Sequence, residues 1–311
     1  MGSAGGGAGI SAGGGSAVCP SGDTGRRRTG RTRRWAAAAG AALALLGGVA
    51  GCGDDDDGDD TGDAGGEEGG AATTEPTPPL EILVTNDDGY AAEGIDTLVE
   101  ALRELPAVEV TVVAPAEQQS GTGGQETPGA VASRQDTTRS GYEATAVEGF
   151  PSDAVRVALE DMGLEPDLVV SGINEGQNLG PIVDVSGTVG AARVAVRAGI
   201  PALAVSQGLG EDPDYPTAAE LAVAWVEEHR ADLAAGALPA DHVVNLNVPT
   251  CPEGEVRDAV DVESASSGDP LATPDCTVEG GDVPADDVAA FQVGYATFTE
   301  VPPEPAGAPG G

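Results

Sequence analysis

Two adjacent carboxylates, Asp87 and Asp88, follow the apolar run Leu80-Glu-Ile-Leu-Val-Thr85 and stand before Gly89. A strand that delivers paired acids to the loop at its end can hold a divalent cation, because two negative charges offset the ion and leave positions for water and phosphate oxygens. A second apolar run leads through Val169-Val-Ser-Gly-Ile to Asn174, and a third, Val112-Val-Ala-Pro115, leads to Gln118-Gln119-Ser120. Asp87, Asp88, Ser120 and Asn174 then make a hard-oxygen set that suits magnesium or manganese, with calcium as an alternative, better than zinc. Ser186-Gly187-Thr188 stands at a helix start, where unpaired N–H groups and the helix dipole favour an anion. Gly187 would let a phosphate approach the backbone, and Asn178 adds an amide donor. The chemistry these residues support is metal-assisted hydrolysis of a phosphate ester, with Asp87 or Asp88 assisting proton transfer.

The elements that must position these residues alternate. Ile82 to Thr85 reads as a strand, and Ile95, Leu98, Val99, Leu102 and Leu105 recur at helical spacing. Val108 to Val113 is the next strand, followed by a polar stretch through residues 116 to 145. Ser152 and Asp153 cap a helix to about Met162, and Asp167 to Val170 forms a buried strand. Helix from Val189 to Ala198, strand from Ala202 to Ser206, helix from Thr217 to Leu233 and strand from Val243 to Val248 complete five strands. This alternation predicts an α/β fold, a doubly wound, mostly parallel sheet, with a small β-rich C-terminal excursion in the proline- and acid-rich residues 250–290 and a late strand from Phe291 to Val301. In such a sheet, ligands bind beyond the carboxyl ends of the strands, which gathers the three polar loops on one edge.

Composition bounds the partners. The chain carries 14 basic residues, none of them lysine, against 52 acidic ones, for a formal net charge of −38. Nucleic-acid polymers and anionic membrane surfaces are repelled by such a chain. Absence of lysine excludes a Walker A phosphate loop. His229 and His242 are the only histidines, and no CxxC pair is present, which disfavours a zinc site.

Arg26, Arg27, Arg28, Arg31, Arg33 and Arg34 precede the apolar stretch from Trp35 to Gly51, the layout of an export signal. The end of that stretch, Val49-Ala50-Gly51-Cys52, resembles the lipobox of bacterial lipoproteins. We therefore expect residues 1–51 to be a lipoprotein signal peptide, with Cys52 as the lipidation site. Residues 52–79, with Asp54 to Asp57 and three prolines, read as an acidic disordered tether to a membrane; 80–301 are the catalytic domain and 302–311 a frayed tail. The expected location is an exported lipoprotein, at the cell surface or facing the periplasm. Cys251 and Cys276 could pair after export, although spacing alone does not show it.

Motif by motif, the chain resembles the SurE family of metal-dependent nucleotidases. The likeness rests on Ile82-Leu-Val-Thr-Asn-Asp-Asp-Gly89, Val112-Val-Ala-Pro115 with Ser120-Gly121, Gly149-Phe-Pro-Ser-Asp153, Ser171-Gly-Ile-Asn-Glu-Gly-Gln-Asn-Leu-Gly180, Ser186-Gly-Thr188 and Asn245-Leu-Asn-Val-Pro249, in that order. By that resemblance Asp87, Asp88, Ser120 and Asn174 would be metal ligands. Asn86, Asn178, Ser186, Gly187 and Thr188 would line the phosphate site. The implied activity is hydrolysis of nucleoside monophosphates to nucleoside and phosphate, and the implied assembly is a homodimer. Three departures stand out: Gln119 replaces a frequent basic residue, Glu93 replaces a usual proline, and little chain follows Gly294-Tyr295, which weakens the expectation of an exchanged oligomer. The rival readings are a non-catalytic binding lipoprotein on the same fold, and a broader acid phosphatase or exopolyphosphatase.

Overall fold

A computed structural model describes residues 78–306. The expected signal peptide, Cys52 and all but the end of the expected tether lie outside the described residues. Among those described, no helix is long and apolar enough to cross a membrane.

One nine-stranded sheet organises the chain, in the order β3-β4-β2-β1-β5-β6-β7-β9-β8. Six of its strands run parallel: β1 (Leu80–Thr85), β2 (Val108–Pro115), β4 (Glu143–Val147), β5 (Leu168–Glu175), β6 (Ala202–Gln207) and β7 (Val243–Val248). Their apolar runs are nearly continuous because helices cover both faces. On one face, α1 (Glu93–Arg103) and α4 (Tyr215–Ala234) bury Ile95, Leu98, Leu102, Trp225 and Val226 against Ile82, Val84 and Val170. On the other, α2 (Pro151–Arg156) and α3 (Gly187–Arg197) bury Val155, Val189 and Ala192 against Leu83, Val113 and Val169. Each fully buried Leu, Ile or Val stabilises the fold by roughly 1.5–3 kcal/mol.

From β1 the chain winds outward through β2 and then returns to lay β5, β6 and β7 on the other side of β1. The strand order therefore reverses between β1 and β5. Crevices at such a reversal, outside the carboxyl ends of the strands, are where doubly wound sheets bind ligands. The β1–α1 loop and the end of β5 both open there.

Four expectations are corrected. The polar stretch 116–145 contains β3 (Ser133–Thr137) and, with β4, forms an antiparallel hairpin at one sheet edge. The helix after Phe150 stops at Arg156 and continues as a wider π turn over Val157–Asp161. The late strand begins at Tyr295 rather than Phe291, which belongs to α5 (Asp287–Gln292); β9 (Tyr295–Val301) joins β8 (Arg257–Asp261) of the β-rich excursion to the main sheet through β7. Residues 302–306 of the expected tail are tied down. Arg193 and Arg197 donate to the carbonyls of Pro302 and Pro303, and the Ala306 N–H donates to Asp184.

Cys251 and Cys276 form a disulfide that closes the first part of the excursion. Asp287, fully buried, holds the rest in place by accepting from the N–H groups of Gly180, Ala265 and Val288. The loop that carries Asn178 is thereby fixed from behind.

Candidate functional site

Asp87 and Asp88 leave β1 at the strand-order reversal. Asn86, fully buried, shapes their loop: its side chain donates to the Gly89 carbonyl at 2.9 Å and accepts from the Gly89 N–H at 3.1 Å. Through these two contacts Asn86 braces the loop.

Asp87 is 2% exposed and faces the start of α3. Its Oδ1 accepts from the Thr188 hydroxyl at 2.7 Å. Ser186 caps the same helix, its hydroxyl accepting from the Val189 N–H at 3.1 Å. Between them stands Gly187, where a β-carbon would lie 2.8 Å from both Cβ and Oδ2 of Asp87. The group that demands a glycine here is thus the Asp87 side chain itself. Burial, and then the neighbouring charge of Asp88, push the Asp87 carboxyl up to about 6, against the opposing hydrogen bonds from Thr188.

Asp88 turns the other way, across the strand reversal. Its Oδ2 accepts from the Glu175 N–H at 2.9 Å, at the end of β5. Burial pushes its carboxyl up, offset in part by hydrogen bonds from Glu175 and the Gln118 side chain. Its Oδ1 is sealed from solvent and has no hydrogen-bond partner. A buried acceptor left unpaired costs about 1–3 kcal/mol, more when charged. A cation beside Asp88 would offset that cost.

Asn174, 7% exposed, directs its side-chain amide N–H at the Gly176 carbonyl, which turns the amide oxygen the opposite way. It lies in β5, one residue before the N–H that holds Asp88; the sequence reading placed it in a loop. Ser120 is exposed on the β2 loop, one residue beyond the Gln119 N–H that donates to the Asp87 carbonyl at 2.6 Å. Three strand ends are therefore laced together at the Asp87–Asp88 pair. Two carboxylates, a carboxamide and a hydroxyl on these ends are the oxygen donors a magnesium- or manganese-sized ion takes. Among the described residues no group of three or more acidic, histidine or cysteine side chains is arranged to hold a metal, so any ion held here relies on the two aspartates and on neutral oxygens.

Asn178 is 7% exposed and stands beside Thr188. Its side-chain amide donates to the Ser206 hydroxyl at 2.9 Å. Its backbone is gripped by two strand asparagines: Asn247 accepts from its N–H at 2.6 Å, and both Asn245 and Asn247 donate to its carbonyl. Sequence reasoning assigned these asparagines no role. The signal was present, since two carboxamides at a spacing of two on a buried strand point to one face and need a partner there. Gln118 and Glu175 were also missed as supports of Asp88. Neither contact leaves a trace in the local pattern, because each depends on where another strand ends.

Fold and crevice together define a doubly wound α/β protein with an oxygen-donor site at its strand reversal. The family model described as "Survival protein SurE" matches residues 82–267. The chain belongs to the SurE family. It is 43% identical over 180 residues to "5'-nucleotidase SurE" of Pelobacter propionicus, an alignment that covers 57% of this chain and 69% of that protein. It is 41% identical over 187 residues to the protein of the same name from Brevibacillus brevis, covering 58% and 71%. A crystal structure of the SurE protein from Aquifex aeolicus superposes with a TM-score of 0.56 at 26% identity, over 73% of this chain and 95% of that one.

Proposed function

We propose that this chain is a metal-dependent 5'-nucleotidase, a phosphoric monoester hydrolase that converts nucleoside monophosphates to nucleoside and phosphate. The observation that carries the reading is the Asp87–Asp88 pair at the strand reversal beside the start of α3, with Asp87 buried and Asp88 Oδ1 unpartnered. The names of the relatives support the substrate class.

Asp87, Asp88, Ser120 and Asn174 would hold one divalent cation, magnesium or manganese, which supplies positive charge and Lewis acidity at the phosphoryl group when bound. The chain's own residues do the rest. The N-terminus of α3, opened by Ser186, Gly187 and Thr188, directs its dipole at the phosphoryl oxygens. Asn178, held by Asn245 and Asn247, keeps the Thr188 side of the pocket rigid. Water attacks phosphorus in line as the bond to the ester oxygen breaks; the carboxylate oxygens of the Asp87–Asp88 pair take its proton and return one to the leaving oxygen, which departs as the nucleoside hydroxyl. Thr188 fixes the orientation of Asp87 throughout.

The reading is tested by phosphate release from a nucleoside 5'-monophosphate with magnesium or manganese. Affinity without turnover would instead favour a binding protein.

Export, lipid attachment at Cys52 and tethering through residues 52–79 belong to the same proposal and rest on the sequence. The Cys251–Cys276 disulfide supports them, because such bonds persist in oxidising compartments. A homodimer is the proposed assembly, to be checked by light scattering.

A further inference from the structure

The loop closed by the Cys251–Cys276 disulfide has little else to hold it. Between the end of β8 at Asp261 and Cys276 the chain forms no helix or strand, and only Ala265 and Pro274 of that stretch are buried. A segment that buries so few apolar groups opens locally at small cost unless other ties restrain it. Three polar ties are present. The Asp275 N–H donates to the Gln292 carbonyl at 2.8 Å, the Gln292 side chain donates to the Asp269 carbonyl at 2.9 Å, and Asp287 accepts from the Ala265 N–H at 2.7 Å. The disulfide adds a covalent tie across a sequence separation of 25, which removes much of the entropy the opened loop would gain.

This loop touches the residues on both sides of Asn178. Gln177 is buried, and its side-chain amide donates to the Pro270 carbonyl at 3.1 Å while its oxygen accepts from the Leu209 N–H at 2.9 Å. Leu179 packs with Ala265, Val288 and Phe291. Gly180 approaches so closely that a β-carbon on it would lie 3.0 Å from the Ala265 carbonyl oxygen. Asn178 therefore stands in a segment whose outer support, Ala265 and Pro270, lies within the disulfide-closed loop.

We propose that the Cys251–Cys276 bond is a redox switch on the Asn178 segment: the oxidised chain holds Gln177 to Gly180 in the working position, and reduction by a dithiol releases that support and slows the reaction. Cys251 is half-buried and Cys276 is 7% exposed, which makes the Cys251 side the approach for a reductant. A thiolate of the dithiol attacks one sulfur, and the electron pair of the breaking bond goes to the other, which takes up a proton. The second thiol of the reductant then displaces the first protein sulfur in the same way, leaving two protein thiols and the reductant as a disulfide. The proposal rests on the phosphatase reading above and adds a control to it. In a reducing compartment the chain would be held in its slow state.

The test treats the full chain with dithiothreitol and measures kcat/KM for a nucleoside 5'-monophosphate and amide exchange at residues 177–180, below the melting temperature of both forms. We expect kcat/KM to fall by roughly tenfold or more, since a displacement of about 1 Å near a reacting group can cost about a hundredfold. Exchange at residues 177–180 should quicken in step, and both changes should reverse on reoxidation. Cys251→Ser/Cys276→Ser should match the reduced protein and ignore the dithiol. Gln177→Ala, which cuts the link to Pro270 and keeps the disulfide, should lower kcat/KM in the oxidised protein and shrink the further effect of reduction. Equal kcat/KM in the two redox states, faster exchange confined to residues 251–276, or an undiminished response in Gln177→Ala overturns the proposal. So does unfolding of the whole domain on reduction, read by circular dichroism, because the bond is then a staple for the fold. No turnover in either state overturns the phosphatase reading instead, and exchange at residues 177–180 then decides the switch independently.

Discussion

The Thr188 hydroxyl donates to Asp87 Oδ1 at 2.7 Å, across 101 residues of sequence, so the carboxylate that leaves the first strand is oriented by the first turn of α3. The helix start and the acid pair are one unit. A change on either side is expected to disturb the other.

Thr188→Val removes the hydroxyl while preserving the shape of the side chain. Loss of one orienting partner behind a metal ligand typically costs about 10–100-fold in metal affinity or activity. The variant should fold normally, since Thr188 is fully buried and valine fills the same space. Circular dichroism together with metal titration and phosphate-release rates checks this. Full activity with normal metal affinity would show that Asp87 needs no such support.

Gly187→Ala places a methyl group where Asp87 already stands, 2.8 Å from its Cβ and Oδ2. Forcing extra volume into a packed contact costs about 1–3 kcal/mol. The expected outcome is a lower melting temperature and a loss of turnover larger than that of Thr188→Val. A melting curve identical to wild type would mean that α3 can slide away freely.

Asp153 provides a pH-dependent contribution far from the aspartate pair. Burial would raise its carboxyl, but hydrogen bonds from Thr127, the Phe150 N–H and Arg156 outweigh burial and hold it below the usual range. A carboxyl depressed in the folded state stabilises the protein above its unfolded value of about 3.8 and loses that contribution as the pH falls through the folded value. Asp153→Asn should therefore cost about 1–3 kcal/mol near neutral pH. The difference from wild type should shrink on acidification below the ordinary carboxylate range. Denaturant midpoints measured across pH would reveal a constant difference if this account is wrong.

The Cys251–Cys276 disulfide spans a sequence separation of 25 and closes the start of the excursion. Constraining a loop of that size stabilises a fold by about 2–4 kcal/mol. Cys251→Ser/Cys276→Ser should lower the melting temperature and loosen residues 250–276, read as faster amide exchange there. Unchanged exchange would assign that loop's order to Asp287 alone.

Much of this architecture was legible because β1, β2, β5, β6 and β7 are apolar along their length, a consequence of helices on both faces, and because strand ends in such a sheet share an edge. That rule gathers the loops of Asp87 and Asp88, of Ser120 and of Asn174 on one edge. It could not supply β3, whose Ser-Arg-Gln-Asp-Thr residues are polar and mostly exposed at the sheet edge, with no alternation to signal a strand. Nor could it separate α5 from β9, since the break depends on Gly294 at φ +87° rather than on hydrophobic pattern. Asn86 shows a different limit. Its position beside the acid pair is visible in the sequence, but its two hydrogen bonds to Gly89 depend on the turn the loop makes.

The central claim is that Asp87 and Asp88 hold a cation that the reaction requires. Calorimetric titration of manganese into the wild-type protein and into Asp88→Asn, paired with phosphate release from a nucleoside 5'-monophosphate, tests it most directly. We predict one ion bound per chain by the wild type, with turnover that appears on metal addition and vanishes on chelation, and a variant that stays folded yet loses both. Undiminished binding and turnover in folded Asp88→Asn would contradict the account.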